Sequence, residues 1–236
     1  ANDTVGNTNN TETRTIRLDT SNPEIYYNPN TDANNSFVNR DWIFINVTAS
    51  DLTKDSVGLE WNGTNETFAY SDEDLYWENK TELSGGTYSF YAWINDSSGN
   101  FNSTTTRTVT VDIINPTITD LTESPDDQSN YSSGQTYEFN ATITDPNLDT
   151  VLIEFDGTNY TPSNLTEDIY NFTITDLAAG TYNYRWFAND SANNINLTVL
   201  HDYTVNNASG DITLLINGSA SNQSGPYKTQ TNASAS

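Results

Sequence analysis

Tyr137, Phe139, Ala141 and Ile143 alternate with Glu138, Asn140, Thr142 and Thr144. A period of two with one apolar face is the signature of a half-buried antiparallel strand. The same alternation recurs at Val151, Ile153 and Phe155, at Tyr170, Phe172 and Ile174, and at Tyr182, Tyr184 and Trp186. Segments such as SPDDQSN, DPNLD and NDSANN separate these runs, and their Asn, Asp, Ser and Pro favour turns. No stretch has a helical period, so the pattern predicts an all-β chain. One place weakens it: over Tyr76–Thr81, Glu78 and Lys80 stand where the matching run has Phe172 and Ile174.

That matching reflects a repeat. Residues 2–23 align with residues 95–116 at a shift of 93, with 12 of 22 positions identical. Residues 45–111 align without a gap with residues 139–205 at a shift of 94, pairing INVTASD with FNATITD and LSGGTYSFYAWINDS with LAAGTYNYRWFANDS. A period of this length marks an array of whole domains, not a solenoid. It divides the chain into a terminal strand of a preceding or partial module (1–19), two complete modules (20–112 and 113–205) and the start of a further module (206–236). The third boundary, NNASG, departs from the Asp-x-x-Asn-Pro linker of the other two. The chain reads as a segment of a longer array; the rival reading is that strand 11–18 is donated to a neighbouring subunit.

About seven short strands per 93 residues resembles an immunoglobulin or fibronectin-like sandwich. Trp61 and Phe155 fall inward where such domains keep a large aromatic, and Leu83–Tyr88 and Leu177–Tyr182 resemble the tyrosine corner that enters strand F. The resemblance implies tandem immunoglobulin-like β-sandwiches in an extended array. NVTASD, GTY and NDSSGN also resemble the tandem repeats of archaeal cell-surface and S-layer-associated glycoproteins, which implies an extracellular, cell-surface location.

Composition narrows the partners. Eight Lys+Arg against 32 Asp+Glu give a formal charge of −24, which repels nucleic acid and anionic lipid. Aromatics at 12% set the chain apart from a disordered acidic tail. The absence of cysteine does not argue for the cytosol, because a sandwich of about 90–100 residues buries enough apolar surface without disulfides. No apolar run reaches the roughly 20 residues that span a bilayer, and the first residues do not read as a signal peptide.

Twenty Asn residues begin Asn-x-Ser/Thr, where composition alone gives roughly 8. They are Asn2, Asn9, Asn34, Asn46, Asn62, Asn65, Asn79, Asn95, Asn102, Asn130, Asn140, Asn159, Asn164, Asn171, Asn189, Asn196, Asn207, Asn217, Asn222 and Asn232. Four recur in both complete modules: Asn46/Asn140, Asn65/Asn159, Asn95/Asn189 and Asn102/Asn196. On the second strand, Asn46 and Asn140 take the outward phase, where a glycan has room. Covalent N-glycans over the sheet faces obstruct side-to-side packing and leave the ends for contact with copies of the chain or neighbouring modules.

Acids recur as well: Asp51/Asp145, Asp55/Asp149, Asp96/Asp190 and the linker pair Asp19/Asp112. The fold places the corresponding loops at the end where the first strand enters. Convergent carboxylates with loop carbonyls suit calcium, which takes 6–8 oxygens. No cofactor is required, and structural calcium is the one candidate. Asx turns and solvated acids are the plainer reading and stand beside it.

Nothing reads as catalytic. The single histidine, His201, replaces Arg107 on the last strand. No cysteine nucleophile or Gly-rich phosphate loop is present, and Glu60 and Glu154 lie on the outward phase, one to a repeat. The expectation is a non-enzymatic structural component of an extracellular filament, sheath or S-layer. An adhesin stalk or carbohydrate-binding module is the alternative, and a spacer within a large surface enzyme is a third class.

Overall fold

The computed structural model describes residues 1–16 and 18–208, together with the backbone of a hairpin formed by Thr213–Ile216 and Ser219–Asn222. The expected further module at 206–236, including Asn217, Asn232 and the Asn222 side chain, lies largely outside the described residues. Contacts divide the chain into two units: residues 1–114 with 191–194, and residues 115–190 with 195–236. The described residues contain strands and no helix.

The first unit contains β1 (Glu24–Tyr27), β2 (Ser36–Val38), β3 (Ile43–Ser50), β4 (Lys54–Trp61), β5 (Thr64–Glu66), β6 (Tyr70–Asp72), β7 (Leu75–Lys80), β8 (Gly86–Asp96), β9 (Phe101–Ser103) and β10 (Arg107–Val111). One sheet runs β1-β3-β7-β6; the other runs β2-β10-β8-β4-β5, with β9 also paired to β8. On β3, Ile43, Ile45, Val47 and Ala49 are buried between the sheets, while Phe44, Asn46, Thr48 and Ser50 face the other way. A one-residue slip would exchange these faces, so the burial pattern fixes the register. Ten segments instead of seven arise from short edge pieces. β2 pairs in parallel with β10, β5 returns from β4 through Asn62-Gly63, both at positive φ, and β9 precedes β10. Positive φ at both positions is the type I′ hairpin geometry that Asn-Gly favours.

The second unit repeats this plan with β11 (Thr117–Ser124), β12 (Ser129–Asn130), β13 (Thr136–Thr144), β14 (Leu148–Phe155), β15 (Thr158–Tyr160), β16 (Ser163–Asn164), β17 (Ile169–Thr175), β18 (Gly180–Asp190), β19 (Ile195–Leu197) and β20 (His201–Asn206). Its sheets run β11-β13-β17-β16 and β12-β20-β18-β14-β15, with β19 paired to β18. Each unit is thus a two-sheet antiparallel sandwich of immunoglobulin type, closed by one short parallel edge pair.

The tyrosine corners form in both units. Tyr88 Oη donates to the Ser84 carbonyl and Tyr182 Oη to the Ala178 carbonyl, each at 2.9 Å. The cores differ in chemistry. At aligned positions the first unit buries Ile45, Ala92 and Val109, and the second buries Phe139, Trp186 and Tyr203.

The weak segment at Glu78 and Lys80 is still a strand. Lys80 pairs with Glu66 and Glu78, and its Nζ lies 5.6 Å from the centre of the Trp61 ring. The lysine stem and ion pair cover an aromatic face. In the second unit Phe172 covers Phe155 by direct ring contact at 5.6 Å.

Candidate functional site

Three features of the sandwich surface carry candidate chemistry: an acidic cluster, the sequon asparagines and the segment that precedes β1.

The cluster is built by the turn that leaves β8. Asp96 is 2% exposed; its Oδ1 accepts from the Ser98 and Asn100 amides at 2.8 Å, and its Oδ2 accepts from Asn100 Nδ2 at 2.7 Å. Burial by itself raises the pKa of this carboxyl, but the donors from Asn100, Ser98 and Gly99 outweigh burial and hold it below the usual range. Asn100 Nδ2 also donates to the Asp19 carbonyl at 3.2 Å, drawing in the segment before β1. The Thr53 hydroxyl donates within 2.9 Å of Asp51 Oδ1 and 3.0 Å of Asp19 Oδ2. One carboxylate oxygen from each of Asp19, Asp51 and Asp96 therefore falls within 4.8 Å of the others. Three hard anionic oxygens at this separation are part of the six to eight oxygens that calcium takes.

Asp55 does not join them. It is exposed and accepts from its neighbour Ser56, because the β4–β8 register slips between Lys54 and Ser56 and Asp55 is the bulged residue. A bulge re-aims one side chain against the alternation, and sequence spacing does not reveal it. Asp149 is carried outward by the equivalent bulge between Leu148 and Thr150. Asp145 Oδ1 accepts from the Asn147 amide at 2.7 Å, Asp190 is buried, and Asp112, also buried, accepts from the Ile114 amide.

The sequons divide according to what Nδ2, the atom that takes a glycan, is doing. Asn2, Asn9, Asn34, Asn62, Asn65, Asn79, Asn130, Asn159, Asn164 and Asn207 are exposed. Asn46 and Asn140 lie on the outer faces of β3 and β13; Asn46 Oδ1 accepts from Asn28, and Asn140 Oδ1 from Asn171. Asn171 is buried and its Nδ2 is the donor in that bond, at 2.7 Å. Asn102 and Asn196 each use Nδ2 to hold a backbone carbonyl, of Pro23 and Pro116 respectively, at 2.8 Å. Asn95 and Asn189 are half-buried, with Asn95 Oδ1 accepting from Ser56. The motif alone does not distinguish a nitrogen facing solvent from one holding a strand.

In the segment before β1, the turn at Asp3 has the same hydrogen bonds as the turn at Asp96. Asp3 Oδ1 accepts from the Val5 and Asn7 amides at 3.0 and 2.9 Å, and Asp3 Oδ2 from Asn7 Nδ2 at 2.7 Å. Asn2 bridges Thr8 as Asn95 pairs with Phe101. Downstream, Ile16 and Leu18 are 89% and 86% exposed, whereas their repeat equivalents Val109 and Val111 are 0% and 1% exposed.

His201 stacks on Tyr184 at 5.3 Å, Glu154 is ion-paired with Arg185, and Glu60 accepts from the Gly63 amide. All three are held in sheet or turn contacts.

No protein-family model matches the chain, and no curated protein sequence does. Among solved structures it is similar to an I-band fragment of titin, at 9% identity and a TM-score of 0.51 over 80% of this chain and 66% of that one. It is also similar to fibronectin(III)-like modules of CbhA from Clostridium thermocellum, at 18% identity and a TM-score of 0.44 over 78% of this chain and 95% of that one. At 9% identity the likeness to the titin fragment is one of fold alone, that of tandem sandwiches.

Proposed function

We propose that the chain is a non-catalytic structural stretch of an archaeal cell-surface filament, sheath or S-layer, N-glycosylated on its sheet faces and joined end to end through successive sandwiches. The observation that carries this reading is the exposure of Ile16 and Leu18. Two apolar residues at positions that are core in the next repeat call for a sandwich to cover them, and a neighbouring module of the array supplies it. Covering two such side chains contributes about 1.5–3 kcal/mol each to that joint. Exposed sequons on both outer sheet faces support contact through ends instead of sides. A calcium ion among Asp19, Asp51 and Asp96 belongs to the same proposal, as a stiffener of the segment entering β1.

The adhesin alternative requires an aromatic platform clear of glycans. Tyr70 stacks on Trp77 at 5.6 Å, but Trp77 stands directly across from Asn46 and two residues before the exposed Asn79. That position favours the structural reading. The test is electron microscopy of native assemblies carrying Ile16→Ser and Leu18→Ser. Shortened or absent assemblies are expected, and assemblies of undiminished length would refute the proposal.

A further inference from the structure

On the outer face of the β15-β14-β18-β19 sheet, two cross-strand rows lie side by side. Asn159 stands opposite Glu154, which stands opposite Arg185. Leu152 stands opposite Phe187, which stands opposite Leu197. Together they line a groove of about 340 Å³, within the roughly 300–1,000 Å³ of small-ligand pockets. Its floor is apolar and aromatic. Its polar side is an ion pair, with Arg185 Nη2 and Nε donating to Glu154 Oε2 at 2.7 and 3.0 Å.

The first unit has the same two rows, occupied differently. Asn65, Glu60 and Tyr91 form one, and Gly58, Trp93 and Ser103 the other. There the protein fills the space itself. The Trp93 indole lies so close over Gly58 that an added Cβ would sit 2.3 Å from the ring, and Trp93 Nε1 donates to Asn65 Oδ1 at 3.1 Å. In the second unit Leu152 and Phe187 leave the corresponding space open beside Asn159.

We propose that this groove seats the first sugar of the N-linked glycan on Asn159, which packs onto the sheet instead of projecting freely. This rests on the glycosylation reading above. A pyranose presents an apolar C–H face that suits Phe187, flanked by Leu152 and Leu197. Its hydroxyls take hydrogen bonds from Arg185 and give them to Glu154, and charged partners make these the stronger kind. Asn159 is exposed and itself lines the groove, so the tether delivers the occupant at high effective concentration. The sugar does in the second unit what Trp93 does in the first.

The experiment is a mutant cycle on chain purified with its native glycans, with glycopeptide mass spectrometry of Asn159 and calorimetry of the second unit. Asn159→Gln lowers that unit's Tm by about 4 °C or more. In a Phe187→Ser background, and separately in the milder Leu197→Ser background, the further change on Asn159→Gln shrinks toward zero. An occupied Asn159 whose removal has no effect, or the same effect in all backgrounds, overturns the seat alone. A bare Asn159 overturns the seat together with the glycosylation reading at this position.

Discussion

Replacing Gly58 by alanine tests the close packing of the Trp93 indole on this position. Gly58 is not at positive φ, so alanine fits the backbone, and the reduced freedom of the unfolded chain favours folding by about 0.4–1 kcal/mol. Against this, the new Cβ meets three indole atoms at 2.3, 2.4 and 2.8 Å, where ordinary contact begins at 3.4 Å. The ring must withdraw by about 1 Å. That breaks the 3.1 Å bond to Asn65, a loss of about 1 kcal/mol, and disturbs packing at a further cost of about 1–3 kcal/mol. The net is a destabilisation of about 1–3.5 kcal/mol, and each kcal/mol lowers the Tm of a domain this size by about 4–8 °C. Calorimetry reads the shift in the first unit, and near-ultraviolet circular dichroism reads the displaced indole. Gly58→Leu combined with Trp93→Phe copies the second unit and should recover most of the loss. Unchanged stability and an unchanged indole signal in the single variant would refute the reasoning, and so would a double variant worse than the single one.

Alkaline pH should unfold the second unit first. Burial raises the phenol pKa of Tyr137, Tyr184 and Tyr203 there, with the bond to Glu123 adding to the effect on Tyr184, and burial raises that of Tyr27 in the first unit. A raised folded pKa leaves stability intact below the unfolded value near 10 and erodes it as pH climbs toward the folded value; equal alkaline midpoints for both units would contradict this. Tyr137→Phe should leave the second unit equally or more stable at neutral pH, because the buried Tyr137 Oη has no hydrogen-bond partner among the described residues and such a group costs about 1–3 kcal/mol; a drop in denaturant midpoint would count against it. Chelation should lower the Tm of the first unit if a cation sits among Asp19, Asp51 and Asp96. Asp51→Asn should abolish the response while Asp55→Asn leaves it, and a melting curve indifferent to chelator would remove the ion from the proposal.

The sheets were legible because alternation at positions such as Ile43–Ala49 and Tyr137–Ile143 reports directly which face meets a core. The Glu78–Lys80 strand was harder to see, since its stability comes from a ring on another strand, Trp61, and from Glu66. The site was legible by halves. Sequence brought Asp19, Asp51 and Asp96 to one end, but a bulge moved Asp55 out. The repeat made Asn102 look like Asn65, yet one nitrogen holds Pro23 and the other residue is exposed. The complementary exchange of Gly58/Trp93 for Leu152/Phe187 is present in the sequence; only cross-strand register shows that the two positions touch.

The unlike cores of the two sandwiches bear on how such a tandem chain is made. Adjacent, nearly identical domains emerging from a ribosome tend to trade segments and tangle. Here the turns and linkers are alike, but the inward side chains are not: a segment bearing Trp186 cannot occupy the space shaped for Ala92, nor Tyr203 that for Val109. Each domain thereby rejects its neighbour's strands by volume, so the two sandwiches can share one surface plan while each matures on its own.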